Sequence, residues 1–338
     1  MNANGRMSIT KRVGLTLIFP VLMFFVMLLI TASNEKCYVN GQLIFLSSDL
    51  ILQTMRKTCM TVCVALAIWL QLKNGRFDFS GGACMILTAI IAGNITSITQ
   101  NPWLGWCVAI VVAVVLSCCT ALVYMVGYLP IIICTIGMTL LYESLTYLVF
   151  DGQGVVAMFS DLNLSLFGRF PGIFLPALVA IAAFAIFDQY TAAGRKAKIL
   201  SNNQKAGVNI GINERKNIIV SYIFTGIIIG CAAIIYASQN KVSAQSGLST
   251  SSIMFSYIVP VFMGMFIGMA SNDVIGILVA SIAMEIMNYG LNCMNLGAGG
   301  WQQIIMGVFV LCFYTFQAQL GNIMQLVGKL KKRVKQTA

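Results

Sequence analysis

The stretch Asn217-Ile218-Ile219-Val220-Ser221-Tyr222-Ile223-Phe224-Thr225-Gly226-Ile227-Ile228-Ile229-Gly230-Cys231-Ala232-Ala233-Ile234-Ile235-Tyr236-Ala237-Ser238 contains no charged residue, and Glu214-Arg215-Lys216 stands directly before it. A helix needs about 20 mainly apolar residues to cross the hydrocarbon core of a bilayer. Inside lipid only a helix or a closed barrel satisfies its own backbone. The run therefore predicts a membrane-spanning helix over 217–238. Nine further runs read the same way: 13–31, 55–72, 80–98, 102–123, 129–150, 172–190, 253–270, 272–293 and 300–318. The expected fold is all-α, a polytopic membrane protein of about ten transmembrane helices. It comprises a short N-terminal segment 1–12, one transmembrane domain 13–318 and a basic tail 319–338. The run at 55–72 is the least regular, because Asp49, Arg56 and Lys57 interrupt its approach, and a short interfacial helix or a break is expected there. The runs 253–270 and 272–293 almost touch, which predicts a tight helical hairpin around Ser271-Asn272-Asp273.

Composition agrees. Hydrophobic residues make up 59% of the chain and charged residues 9%, against roughly a quarter charged in a soluble domain. A soluble fold with so few charges would expose large apolar patches. The net charge of +11 does not point to nucleic acid, because Lys and Arg sit in short clusters between apolar runs, where charge sets membrane orientation. The 11 Cys lie mostly inside those runs and read as small hydrophobes. No His is present, so zinc sites and His-based acid–base chemistry lack their usual groups.

With the N-terminus in the cytoplasm, the inner segments hold Arg6, Lys11, Arg12, Lys73, Arg76, Arg195, Lys196, Lys198, Lys205, Arg215, Lys216, Lys329, Lys331, Lys332, Arg333 and Lys335, which is 16 of 21 basic residues. The outer five are Lys36, Arg56, Lys57, Arg169 and Lys241. An even number of spans puts both termini in the cytoplasm, in the inner (plasma) membrane of a cell. The first run is longer than a typical signal-peptide core and is expected to be a retained helix.

Loop 191–216 is longer than the other inner loops and strongly basic, with a short polar helix around Ser201–Val208. It either fixes topology by charge alone or docks a cytoplasmic partner through Ala206, Val208, Ile210 and Ile212. Small residues four apart, Gly226 with Gly230 and Gly264 with Gly268, allow close helix–helix approach.

Ionisable groups within spans are costly and mark functional sites by default. Asp78, Glu143 and Glu285 qualify. Glu285, Asn288 and Asn292 share a helix face with Tyr289 beside them. A carboxylate, amides and an aromatic ring suit a polyhydroxylated solute, although such groups also bond neighbouring helices. Glu143 follows Thr135-Ile136-Gly137-Met138-Thr139, which could kink a helix at mid-membrane beside a cavity. Asp78 with Ser80 reads equally as an N-cap. No GxxxxGK[ST] loop occurs, so the chain carries no P-loop of its own. Neither an enzymatic dyad nor a cofactor is expected.

Four stretches carry a resemblance. Gly75-Arg76-Phe77-Asp78-Phe79-Ser80-Gly81-Gly82, Pro130-Ile131-Ile132-Ile133-Cys134-Thr135-Ile136-Gly137-Met138, Asn203-Gln204-x-Ala206 with Gly211-Ile212-Asn213, and Asn288-Tyr289-Gly290-Leu291-Asn292 with Trp301-Gln302-Gln303-Ile304 occur in order between about residues 48 and 318. Together they resemble the ribose/galactose-type (monosaccharide) permease subunits of bacterial ATP-binding-cassette importers, the branch shared with autoinducer-2 permeases. Ser201-Asn202 stand where that family has a double Gly. Glu285 stands where it usually has a small residue.

The resemblance implies that loop 191–216 contains the coupling helix for a cytoplasmic ATPase, through Asn203, Gln204, Ala206, Gly211 and Ile212. The polar groups read above, Glu143, Glu285, Asn288, Tyr289 and Asn292, are the candidates for the translocation path. Asp78, Ser80, Gly82, Thr135, Gly137, Gly290 and Trp301 would be structural motif residues. Implied partners are the ATPase, an extracytoplasmic solute-binding protein, a second permease subunit and a monosaccharide or similar polar solute, in the lipid of a bacterial inner membrane. The competing expectation is an ion-coupled secondary transporter that works alone through Glu143 or Glu285.

Overall fold

The structure, a computed structural model, describes residues 9–315 apart from 40, 156, 269–270, 298–299, 310 and 313–314. In chain order it contains α1 Ile9–Ala32, the short hairpin β1 Tyr38–Val39 and β2 Gln42–Leu43, α2 Asp49–Lys73, α3 Ser80–Thr99, α4 Pro102–Gly127 and α5 Ile131–Leu148. There follow α6 Ala157–Ser160, α7 Phe174–Ala185, α8 Ala192–Asn202, α9 Gln204–Asn209, α10 Glu214–Gln239, α11 Ser249–Gly268 and α12 Asp273–Cys293. Residues 300–309 are again helical. The all-α polytopic expectation holds.

Among the described residues seven helices are long and apolar enough to cross a membrane, or eight if the bent pair 174–190 and 192–201 forms one span. α1 contributes a shorter apolar helix, Thr16–Ala32. The last run, 300–318, and the tail 319–338 fall partly or wholly outside the described residues.

Two local expectations are corrected. α2 runs unbroken from Asp49 to Lys73, with Asp49 in its first turn, where an acid favours the helix dipole. Arg56 and Lys57 lie near its outer end beside cavities, so no break is required. α5 also continues straight through Gly137. The Thr135 hydroxyl donates to the Ile132 carbonyl at 3.2 Å and the Thr139 hydroxyl to the Thr135 carbonyl at 2.8 Å, so both hydroxyls are satisfied within the helix. Backbone departures come later, at Phe150 and Asp151. α11 and α12 form the expected hairpin around Ser271–Asp273.

Small residues place the long helices. A Cβ on Gly226 would stand 2.5 Å from the Val114 Cα, and one on Gly230 would stand 2.7 Å from the Ile110 Cα. α10 and α4 therefore meet backbone to backbone, as closely spaced glycines permit. Gly264 meets Ile277 of α12 in the same way. One apolar cluster joins α2, α3, α7 and α10, and a second joins α1, α11 and α12.

At the end of the bundle that the charge pattern assigns to the cytoplasm, Ile186–Tyr190 closes as a π-turn. Beyond it the chain bends by 74° into α8. Thr191 caps α8 by accepting from the Gly194 amide. The single polar helix expected around 201–208 is thus two short helices, α8 and α9, joined at Asn203.

Gly230→Leu is expected to destabilise the protein by about 1–3 kcal/mol through overpacking, read as a lowered unfolding midpoint in detergent. Gly137→Leu, where a Cβ meets nothing within 4 Å, should leave the midpoint unchanged. Equal effects would refute the α4–α10 contact as the determinant.

Candidate polar cavity and loop 191–216

α2, α10, α11 and α12 enclose, with residues 302, 303 and 306, a cavity of about 400 Å³. Its polar lining comes from Lys57 and Thr61 of α2, Gln239 and Asn240 at the end of α10, Ser256 and Tyr257 of α11, Glu285 and Asn288 of α12, and Gln302 and Gln303. Pro260, also on its wall, has no amide to give to the Ser256 carbonyl, which adds a backbone acceptor at this level. Among so many apolar side chains this concentration of donors and acceptors is what a hydroxylated solute would use in place of water.

Glu285 organises the lining. It is 6% exposed. The Thr61 hydroxyl donates to its Oε1 at 2.5 Å, and Asn288 Nδ2 donates to its Oε2 at 3.4 Å. Gln302 Nε2 then donates to Asn288 Oδ1 at 3.2 Å. The chain Thr61–Glu285–Asn288–Gln302 crosses from α2 through α12 to the last helical residues. Lys57 adds a cation one helical turn before Thr61 on the same wall.

The other residues expected on the path lie elsewhere. Tyr289 turns away from the cavity, its hydroxyl 3.0 Å from Ser47 Oγ and 3.3 Å from the Ile44 carbonyl. Asn292 is exposed at the end of α12 and does not line the cavity. Glu143 is 1% exposed, and its carboxylate holds the start of α11. The Leu248 amide donates to Oε2 at 2.8 Å, and the Thr250 amide and hydroxyl donate to Oε1 at 2.8 and 2.6 Å. These are amides that a helix N-terminus leaves without an internal partner.

The motif residues divide similarly. Asp78 Oδ1 accepts from the Ser80 amide at 2.8 Å and hydroxyl at 2.7 Å, capping α3. Gly82 lets α3 approach α11, since a Cβ there would stand 2.5 Å from the Thr250 carbonyl oxygen. Gly290 faces Met27 of α1. Trp301 is 64% exposed, and Gly137 is exposed on α5.

On loop 191–216, Asn203 Oδ1 accepts from the Ala206 amide at 3.0 Å and caps α9, whose first turn holds Gln204. Ala206, Val208 and Ile210 are exposed, whereas Ile212 is buried. Gly211 has φ +88 with no neighbour near a Cβ. The loop thus presents a small apolar face beside its cations.

Sequence reasoning missed a charge cluster that ties this loop to the bundle. Lys73, at the inner end of α2, lies 2.5 Å from Asp188 Oδ1 and 2.8 Å from Asp273 Oδ2. Lys198 of α8 is 3.9 Å from the same Asp188 oxygen. Lys73 is 8% exposed and also faces the Trp69 and Phe184 rings. Only the position of these residues at span ends was visible in the sequence, and span ends are full of charges. Thr61 was missed too, although it follows Lys57 by four residues on one helix face.

A family profile described as branched-chain amino acid transport system / permease component matches residues 50–314. The ribose import permease protein RbsC of Escherichia coli K12 is 24% identical over 276 residues, covering 79% of this chain and 84% of its own length. The autoinducer 2 import system permease protein LsrD of Photorhabdus temperata is 26% identical over 303 residues, covering 86% and 87%. The D-allose transport system permease protein AlsC of E. coli K12 is 22% identical, covering 79% and 82%. No solved structure matches.

Glu143→Ala strands the Leu248 and Thr250 amides and should lower stability by about 1–3 kcal/mol, measured by thermal unfolding in detergent. Glu285→Gln, which keeps an acceptor for Thr61, should change it less. The reverse order would mean that Glu285 and not Glu143 holds the fold.

Proposed function

The chain belongs to the branched-chain amino acid transport system / permease component family, and on that premise we propose that it is the membrane-spanning subunit of an ATP-binding-cassette importer for a monosaccharide or similar polar solute. The observation that carries the reading is the Thr61–Glu285–Asn288–Gln302 chain on the wall of a polar cavity inside an apolar bundle. Relatives named for ribose, allose and autoinducer 2 import support a sugar-like cargo.

In this reading the chain binds and passes solute and performs no chemistry, and ATP is hydrolysed on a partner. Loop 191–216 is the docking element, with Ala206, Val208 and Ile210 as its exposed apolar face. A partner can drive a switch only if it favours one state of the bundle over another. The Lys73 cluster gives docking a route to the cavity. Lys198 on the loop faces Asp188, and Asp188 and Asp273 both hold Lys73. α2 and α12, joined by that Lys73–Asp273 pair, carry Thr61 and Glu285. An extracytoplasmic binding protein would deliver solute at the other end, and a second permease copy or relative would complete the path.

The ion-coupled alternative loses one of its two carboxylates. Glu143 is engaged by three donors at the start of α11 and does not line the polar cavity that Glu285 borders.

Affinity capture of the tagged protein from detergent-solubilised native membranes should recover a P-loop ATPase. Ala206→Glu with Gly211→Glu should abolish that recovery while the chain stays folded. Recovery of no ATPase, together with uptake by the purified chain alone under an ion gradient, would overturn the importer reading. Lys73→Met should still recover the ATPase but lose solute uptake in cells, and unchanged uptake would remove the cluster from the coupling route.

A further inference from the structure

Topology alone makes cations scarce on the outer side of a membrane protein, and only five of the 21 basic residues are expected there. Three of the five converge. Arg56, Lys57 and Arg169 line a single cavity of about 410 Å³ at the outer end of α2, beside Gln239 and Asn240. No Asp or Glu lines it. Among the described residues none of the three stands in an ion pair. The Arg56 Nε is enclosed without a hydrogen-bond partner, and Arg169 uses one nitrogen, its Nε donating to Ser165 Oγ at 3.0 Å.

Like charges gathered against a low-dielectric wall repel one another. A cleft lined by one sign of charge instead concentrates ligands of the opposite sign. Guanidinium and ammonium groups bond carboxylate and phosphate oxygens about twice as strongly as neutral donors bond neutral acceptors. The cavity is also not separate from the inner one. Lys57, Gln239 and Asn240 line both.

We propose that the solute carried is an anionic polyol, a sugar acid or sugar phosphate, whose charged group sits among Arg56, Lys57 and Arg169 while its hydroxyls reach the Glu285–Asn288 wall. The proposal rests on the importer reading and narrows its cargo. A neutral sugar has hydroxyls for Glu285, Asn288 and Gln302 but no anionic group for Arg56 and Arg169, whereas Lys57 shares its wall with Glu285. Lys57 and Arg169 are exposed, but the Arg56 Nε is enclosed and the cavity adjoins the polar cavity within the bundle, which favours a small solute over an acidic protein surface. Lys57 lies where the two halves of such a solute would join.

The test is saturation-transfer NMR on the purified chain in detergent, with D-gluconate, D-glucose 6-phosphate and D-glucose as probes. At least one anion should bind about tenfold more tightly than glucose, weaken with added salt, and be lost in Arg56→Gln with Arg169→Gln. Arg56→Lys with Arg169→Lys should restore part of the response, which separates charge from misfolding. The two anions distinguish carboxylate from phosphate. Glucose binding as tightly as both anions, no response to either anion, or anion binding that survives the double Gln change would each overturn the proposal. Capture of an acidic extracytoplasmic protein through the same arginines, without anion binding, would assign them to docking and overturn it too. Recovery of the ATPase is independent of these outcomes, so a chain that recovers it yet ignores anions fails here alone.

Discussion

Everything in this protein depends on the absence of water around the middle of its helices. A backbone or side-chain polar group at that depth must find its partner within the protein. Most do so locally. The hydroxyls of Thr96, Ser97, Thr139 and Ser238 donate to the carbonyl four residues earlier. Where helices meet polar face to polar face, amides pair across them, as Gln71 with Thr225 and Asn217 with Asn74. The cavity between α2, α10, α11 and α12 is distinctive because lysine, amide and carboxylate side chains are concentrated around open space there.

The two buried glutamates illustrate how the same constraint yields different roles. Glu143 and Glu285 are nearly equally enclosed, at 1% and 6% exposure. Glu143 accepts from three donors of one short segment, and its charge compensates the first turn of α11. It is part of the architecture. Glu285 takes a hydroxyl on one oxygen and a long amide bond on the other, and it borders a cavity large enough for a small solute. A carboxylate with lone pairs to spare at the edge of a void is suited to a ligand.

Much of this was legible in the sequence. Uncharged runs of about span length announced the helices, and the glycine pairs at 226/230 announced close packing. The shared face of Glu285 and Asn288 announced the cavity wall. Three things were not legible. Hydropathy counts residues and cannot tell that α7 ends in a π-turn and that the chain then bends by 74° into α8. Periodicity on one helix placed Tyr289 beside Glu285, but its hydroxyl is drawn to Ser47 and Ile44 from a loop far off in the chain. Glu143 looked functional because its partners lie 105 and 107 residues away, and no local pattern reveals such an acceptor–donor match.

The Lys73 cluster bears on how the chain is made. Lys73 carries its charge into a nearly closed pocket between Trp69 and Phe184, and one of its two acids, Asp273, lies 200 residues further along. During synthesis α2 enters the membrane long before α12 exists. Through that interval the ammonium must stay at the interface, snorkelled towards water. Asp188 supplies the first counter-charge when α7 arrives, and only the last hairpin completes the set. The inner end of α2 therefore closes late, so that the fit of the earliest helices is sealed by nearly the last part of the transmembrane domain to be translated.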